Sequence, residues 1–500
     1  MIKSSPNLFT NPHTYQKNYY CEYLVVGTGP GGSVAGELLS KNGKEVIFIE
    51  EGGFYPPQAC SSNIGGMTAQ LYRNSGVLPF LGQPSFAFAE GCCVGGGSVI
   101  NGGLLWRTPP WILEEWQQKY GLQGYSEKDL AKHFEIIEFR LHVVRHTLET
   151  DANLDSAMLV KGANNLGWKH VLVPRAVKNC INKNFCATGC PIGTKQSMLE
   201  TYLPQALNHG AKLFSGLKAT KILWKAKKAT CVIAESVNTP NKEFIMFHFD
   251  KLILAGGAIQ TPYLLRRSRC SKLAGKKLEF HINLKIVAKF PEPIESEKGT
   301  IFTVQVQEFE KEGTLFMASN MRPHYLAVTL AHFGNAIIDK ALNEYPHYGI
   351  YATMIKPNSK ARIVSSLGNH PLIWYQFDPA DVIIIKKALR QSAKLLFASG
   401  ACELYMPIGG TQAFHSFDKF DKMLDNISAK HLEMISVHAM ASCPMGDTHL
   451  SVVNQEGRLD GYDNIYITDA SVLPSNIGES PQGTIMAFAS EIMARHLSGV

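Results

Sequence analysis

Residues 23–53 read YLVVGTGPGGSVAGELLSKNGKEVIFIEEGG: an apolar run, a glycine turn, an amphipathic stretch, a second apolar run and an acid. Leu24, Val25 and Val26 feed straight into Gly27, Gly29 and Gly32, and residues 33–39 lead on to the run at 46–49. This order is a βαβ unit. Gly27 permits the tight turn out of the first strand, Gly29 lets the backbone approach a pyrophosphate, and Gly32 lets the helix close on the strand. The first-turn N–H groups and the helix dipole then face the phosphates. Glu50 ends the second strand where a carboxylate would accept hydrogen bonds from the adenosine ribose hydroxyls. A glycine turn alone is common; flanked by two strands and followed by a correctly placed acid, it predicts a dinucleotide site.

The 500 residues are enough for about three average domains, or for one large α/β domain with a substantial insertion. Apolar residues at 45% and charged residues at 18% are ordinary for a globular chain, and a net charge of +7 is mild on this length. The densest basic run, residues 218–228, alternates with apolar residues as a solvated strand would, which argues against nucleic acid as a partner. No apolar stretch reaches the length of a membrane span, and the first twenty residues are a polar lead-in without the apolar core of a secretory signal. The expected location is cytoplasmic.

Residues 91–103, GCCVGGGSVINGG, hold six glycines in thirteen positions. Such a backbone makes repeated positive-φ turns or lies against something flat and large, and a flavin is both. Val94, Val99, Ile100, Leu104, Leu105 and Trp106 would pack the segment down. Residues 251–265, KLILAGGAIQTPYLL, repeat the logic of strand, glycine and helix, with Thr261 expected as N-cap and Pro262 at the first helical position. Further helices are expected at 126–134, 197–209 and 379–399. Between residues 280 and 425 the texture changes to strands joined by Pro, Asn and Gly turns, at 284–290, 301–308, 325–332, 348–355 and 372–377. That pattern predicts an antiparallel sheet forming one wall of a substrate pocket.

Cys180, Cys186 and Cys190, spaced C-x5-C-x3-C and followed by Pro191, are candidate ligands for an iron–sulfur cluster. Zinc would need a fourth ligand, and buried thiols or one disulfide bracing a loop would give the same spacing. Near the C-terminus, His438 opens HAMASCPMGDTHL, a short strand ends at Asp469, and a loop rich in Pro, Gly and Ser feeds a terminal helix at 482–497. The unpaired N–H groups of that helix start make a natural anion or flavin-edge site.

Together GTGPGG with Glu50, GCCVGGGSVINGG, GAIQTPYLL, HAMASCPMG and DASVLPSNIGESPQGTIMAFA resemble, in the same order, the motifs of the GMC (glucose–methanol–choline) oxidoreductases. The resemblance implies an α/β protein: a Rossmann-like FAD-binding domain of discontinuous segments (20–110, 196–279 and 431–500) and an α+β substrate part with an antiparallel sheet (111–195 and 280–430). It implies that Gly27, Gly29, Pro30, Gly31, Gly32 and Glu50 hold the ADP half of FAD. Gly95, Gly96, Ser98, Asn101 and Gly102 would lie along the pyrophosphate and flavin, with Asp469, Ala470, Pro481 and Gln482 at the phosphates and ring. His438 matches the active-site histidine in front of flavin N5, taking the hydroxyl proton while hydride leaves the carbinol carbon.

Members usually carry His or Asn before the proline of the closing motif, where this chain has Ser480, able to orient a substrate oxygen but not to act as a base at pH 7. The cysteine segment is similar to that of long-chain-alcohol and sterol oxidases and to that of membrane-bound sugar dehydrogenases, whose cluster serves a cytochrome subunit. The implied activity is FAD-dependent oxidation of the CH–OH group of an alcohol, sugar or sterol. An electron-acceptor subunit or cytochrome would be a partner, and peripheral membrane association would come through it. A catalytically impaired flavin-binding or electron-relay subunit of a dehydrogenase complex is the other function class, which Ser480 favours and His438 opposes.

Overall fold

The computed structural model describes residues 5–145, 153–237, 239, 242–319, 322–365 and 370–499. Strands Asn18–Val26 and Val46–Glu50 lie parallel and adjacent, Tyr23 opposite Val46 and Val26 opposite Ile49, with helix Pro30–Lys41 crossing between them. Val46–Glu50 is buried throughout, as a strand covered on both faces must be. The helix approaches closely because position 36 has no side chain: a Cβ on Gly36 would lie 2.1 Å from the Phe48 ring. Gly32 serves the turn instead, since its Cβ would meet the Gly27 carbonyl oxygen at 2.1 Å.

The first sheet grows outward from this pair. Lys212–Ser215 joins beyond Val46–Glu50, and Phe244–Leu254 pairs in parallel with Asn18–Val26 on the other side. An antiparallel hairpin, Leu217–Lys225 and Lys228–Ser236, extends that edge, and Ile465–Ile467 also pairs with Phe244–Leu254. Part of the expected irregular lead-in belongs here, because Leu8 and Phe9 pair in parallel with Leu213 and Phe214; residues 1–4 lie outside the described residues. The terminal helix Gln482–Ser498 packs on Pro30–Lys41.

The second sheet centres on Ile282–Lys289, antiparallel to Tyr348–Ile355, which pairs in turn with Thr314–Ala318. Leu78–Leu81 and Phe86–Phe88, inside the first expected FAD segment, and Ile435–Ser436, inside the third, belong to this sheet.

Several expected elements change. Residues 325–332 are not a strand: helix Pro323–Thr329 and the turn Ala331–Phe333 occupy them, with Pro323 in the first turn and Leu326 and Leu330 buried at helical spacing. The strand expected at 301–308 shortens to Val304–Val306, and the helix expected at 197–209 starts at Tyr202. The helix expected from Thr261 begins earlier, at Gly257, and contains Pro262. Pro262 has no N–H for the Ala258 carbonyl, and Ser442 Oγ donates to that oxygen instead, at 2.5 Å. Among the described residues no helix is long and apolar enough to cross a membrane.

Candidate active site

A cavity of about 1280 Å³ runs from the first glycine turn to the face of the second sheet. Gly27, Gly29, Pro30, Gly31, Glu50, Gly96, Ser98, Asn101 and Gly102 line it, as do His438, Asp469, Ala470, Ser480, Pro481 and Gln482. Gly32 and Gly95 stand behind that lining and shape it.

At the glycine end the protein's own donors hold each acid. Glu50 accepts from Thr28 N at 2.9 Å, Thr28 Oγ1 at 2.7 Å and Gly52 N at 2.9 Å, and burial pushes its pKa up. Thr28 Oγ1 also accepts from Gly95 N at 3.0 Å, so one buried hydroxyl ties the two glycine turns together. Asp469 accepts from Gly257 N at 2.8 Å, Thr261 Oγ1 at 2.5 Å and Ser471 N at 2.8 Å. Helix Pro30–Lys41 begins with Gly29 as N-cap and no capping side chain, and a Cβ on Gly29 or Gly97 would meet nothing within 4 Å. The start of the helix, where N–H groups have no partner within the helix, therefore borders the open cavity.

At the other end His438 is half-buried, its Nδ1 2.9 Å from Nδ1 of His281 and its pKa pushed down to about 4 by burial. Register makes this pair: Phe280 opposes Ala439, so His281 faces His438, and His281 N donates to the His438 carbonyl at 3.2 Å. His281 is fully buried, its pKa driven well down first by burial and then by His438 with the Asn476 side chain pulling the other way, and its Nε2 has no partner in good hydrogen-bond geometry. Sequence reading missed His281, because nothing local marks it. It also passed over Glu479, buried beside Ser480, whose pKa burial lifts to about 7 and which accepts from Ser480 N at 2.7 Å. His449, the other histidine of the motif around His438, is exposed and does not line the cavity.

The three cysteines line one small cleft but do not come together as ligands. Cys180 Sγ sits 3.8 Å from Thr300 Oγ1, Cys186 Sγ accepts from Arg175 Nη2 at 3.4 Å, and Cys190 Sγ accepts from Lys195 N at 3.4 Å. Among the described residues no three His, Cys, Asp or Glu side chains come together as metal ligands, and the cluster expected from the spacing is withdrawn, zinc with it.

The GMC oxidoreductase profile matches residues 68–283 with its N-terminal part and 365–489 with its C-terminal part. The chain belongs to the GMC oxidoreductase family. It is 29% identical over 479 residues to an uncharacterised GMC-type oxidoreductase of Sinorhizobium fredii, covering 95% of this chain and 94% of that one. A long-chain-alcohol oxidase of Arabidopsis thaliana is 27% identical, covering 95% of this chain and 67% of its own. An oxygen-dependent choline dehydrogenase of Acinetobacter baumannii is 22% identical, with 94% and 95% covered. Among solved GMC-type structures the fold matches pyridoxine 4-oxidase from Mesorbium loti at TM-score 0.68 (16% identity, 96% and 99% covered) and formate oxidase from Aspergillus oryzae at 0.74 (13%, 97% and 100%). Membership of the family implies FAD as cofactor and oxidation of alcohol-type substrates.

Proposed function

We propose that the protein is an FAD-dependent oxidoreductase of the CH–OH group, with His438 as the base that takes the hydroxyl proton. The open cradle before Gly29 and Gly97 fits the ADP half of the cofactor, and residues 96–102 with Pro481 and Gln482 fit its flavin half. When bound, FAD supplies the hydride acceptor. The chain's own residues supply the rest.

The observation that carries this reading is the pairing of His438 with His281. A neutral imidazole has one N–H. If His438 donates from Nδ1 to His281 Nδ1, its Nε2 keeps a lone pair for the substrate hydroxyl, and His281 keeps its own proton on Nε2. Burial holds both rings neutral, which a base requires before it receives the proton. Ser480 borders the same space and would orient the substrate oxygen. In this reading segments 20–110, 196–279 and 431–500 hold FAD apart from the strands at 78–81, 86–88 and 435–436 that they lend to the second sheet, and 111–195 with 280–430 shape the substrate side.

The test is anaerobic mixing of the purified protein with a panel of alcohols, sugars and sterols. At least one alcohol should bleach the bound flavin; denatured protein that releases no flavin would overturn the reading.

A further inference from the structure

The second sheet's contribution to the cavity wall is almost entirely apolar. Met317, Ala352 and Met354 pack there with Leu315 and against Phe302, and four of these five line the cavity. Strand Ile282–Lys289 interrupts that surface. Alternate residues of a strand share one face, and while Leu284 and Ile286 point into the main core, Asn283 and Lys285 line the cavity.

Asn283 brings a donor that folding leaves unanswered, and Lys285 a charge that it leaves unpaired. Asn283 is 7% exposed, and its Nδ2 has no hydrogen-bond partner. Lys285 Nζ donates to Ser319 Oγ, and among the described residues no carboxylate forms an ion pair with it. Burial pushes its pKa down to about 8, so the ammonium still predominates at neutral pH. His324 and His332 border the same cavity, both pushed down by burial and neutral, and Glu433 borders it from an exposed position without pairing with Lys285. A cation and an unpaired amide set in an apolar wall cost free energy that an anionic ligand would offset.

Distance narrows the ligand. Lys285 lies four residues along the chain from His281, which faces His438, so their backbone positions stand roughly 13 Å apart along an extended strand, with Asn283 roughly halfway between. A carboxylate adjacent to the carbinol would stop short of Lys285, at the far end of this row. We propose that this wall selects an alcohol bearing a carboxylate at the far end of an apolar chain, its anion received by Lys285 and Asn283 while its carbinol lies at His438. The assignment of the carbinol end rests on the alcohol-oxidising reading above.

The experiment is anaerobic calorimetric titration of the FAD-loaded protein with octanoate and with octanol, in wild type, Lys285→Met and Lys285→Arg. Octanoate should bind at least about 10-fold tighter than octanol in wild type, the size of a charge-assisted hydrogen bond. Lys285→Met should erase the difference, and Lys285→Arg should retain most of it. Choline, whose cation would meet Lys285, should not displace octanoate. Equal affinities in wild type, or a preference that survives Lys285→Met, would overturn the proposal. So would a Lys285→Met protein that loses its flavin or changes its flavin spectrum while keeping the octanoate preference, because the lysine would then serve the cofactor. Both ligands are titrated into protein whose flavin has first been reduced with dithionite, so binding is read without turnover, and a protein that oxidises no alcohol refutes the alcohol-oxidising reading and still decides this one. With turnover, the kcat/KM ratio of ω-hydroxyoctanoate over octanol should fall at least about 10-fold in Lys285→Met.

Discussion

The two ends of the cavity treat polar atoms in opposite ways. At the glycine end all four oxygens of Glu50 and Asp469 accept hydrogen bonds from the protein itself. At the sheet end His281 Nε2 and Asn283 Nδ2 are buried without partners. A fully answered network is part of what holds a fold together, whereas unanswered buried donors cost stability and persist where a ligand or reaction uses them. Damage at the glycine end should therefore appear first as lost folding and lost cofactor. Damage at the sheet end should appear as lost turnover in a protein that is equally stable or more so.

The largest expected effect lies at the first end. Gly27 has φ of +100°, and a Cβ there would lie 2.3 Å from the Ala255 carbonyl oxygen. Gly27→Ala combines left-handed strain with overpacking and should cost roughly 2–5 kcal/mol; thermal unfolding and flavin content should fall together. A normal flavin content would break the comparison at its stable end.

Next comes His438→Ala, which should slow flavin reduction by about 10²-fold or more, measured by anaerobic stopped flow, with a thermal midpoint close to wild type. An unchanged rate would move the base elsewhere. His281→Leu sharpens the contrast further. It removes the orphaned Nε2 and the partner that sets the His438 tautomer, so reduction should slow by about 10-fold while stability holds or rises.

The same pair fixes a pH dependence. His438 titrates at about 4 when folded against 6.5 when free, so the unfolded chain binds protons first as pH falls. The sign follows: stability present above about pH 6.5 declines toward about pH 4, and His281→Leu, having lost one depressed histidine, should decline less over that window. The smallest effect is Ser480→Ala, about 1 kcal/mol in kcat/KM if the hydroxyl only orients the substrate oxygen. Complete loss with FAD still bound would show that the hydroxyl does more.

What was legible in the chain was local. Strand, glycine turn, helix and acid at residues 23–53 follow from side-chain size and period-two or helical spacing over a few neighbours, as does the helix expected at 126–134, which runs on to Arg140 behind a capping box of Ser126 and Asp129. The glycine-rich segment at 91–103 and the terminal helix were readable for the same reason. Local pattern misled where a proline allowed two readings: Pro262 looked like a helix start, and only Ser442, brought in from another segment, lets the helix run through it.

Pairings across the chain belonged to tertiary structure alone. His281 meets His438 because Phe280 opposes Ala439, a register set by two strands more than 150 residues apart in sequence. Thr28 joins two glycine turns 67 residues apart through one hydroxyl. Three cysteines at a metal-like spacing turn to Thr300, Arg175 and Lys195. Sequence by itself determined the glycine cradle and the acids beside it, because a turn's backbone conformation is a property of the residues in it. The tertiary structure decided which side chains face one another and which donors are left unanswered, because those depend on strand register and on what the rest of the fold brings within hydrogen-bonding distance.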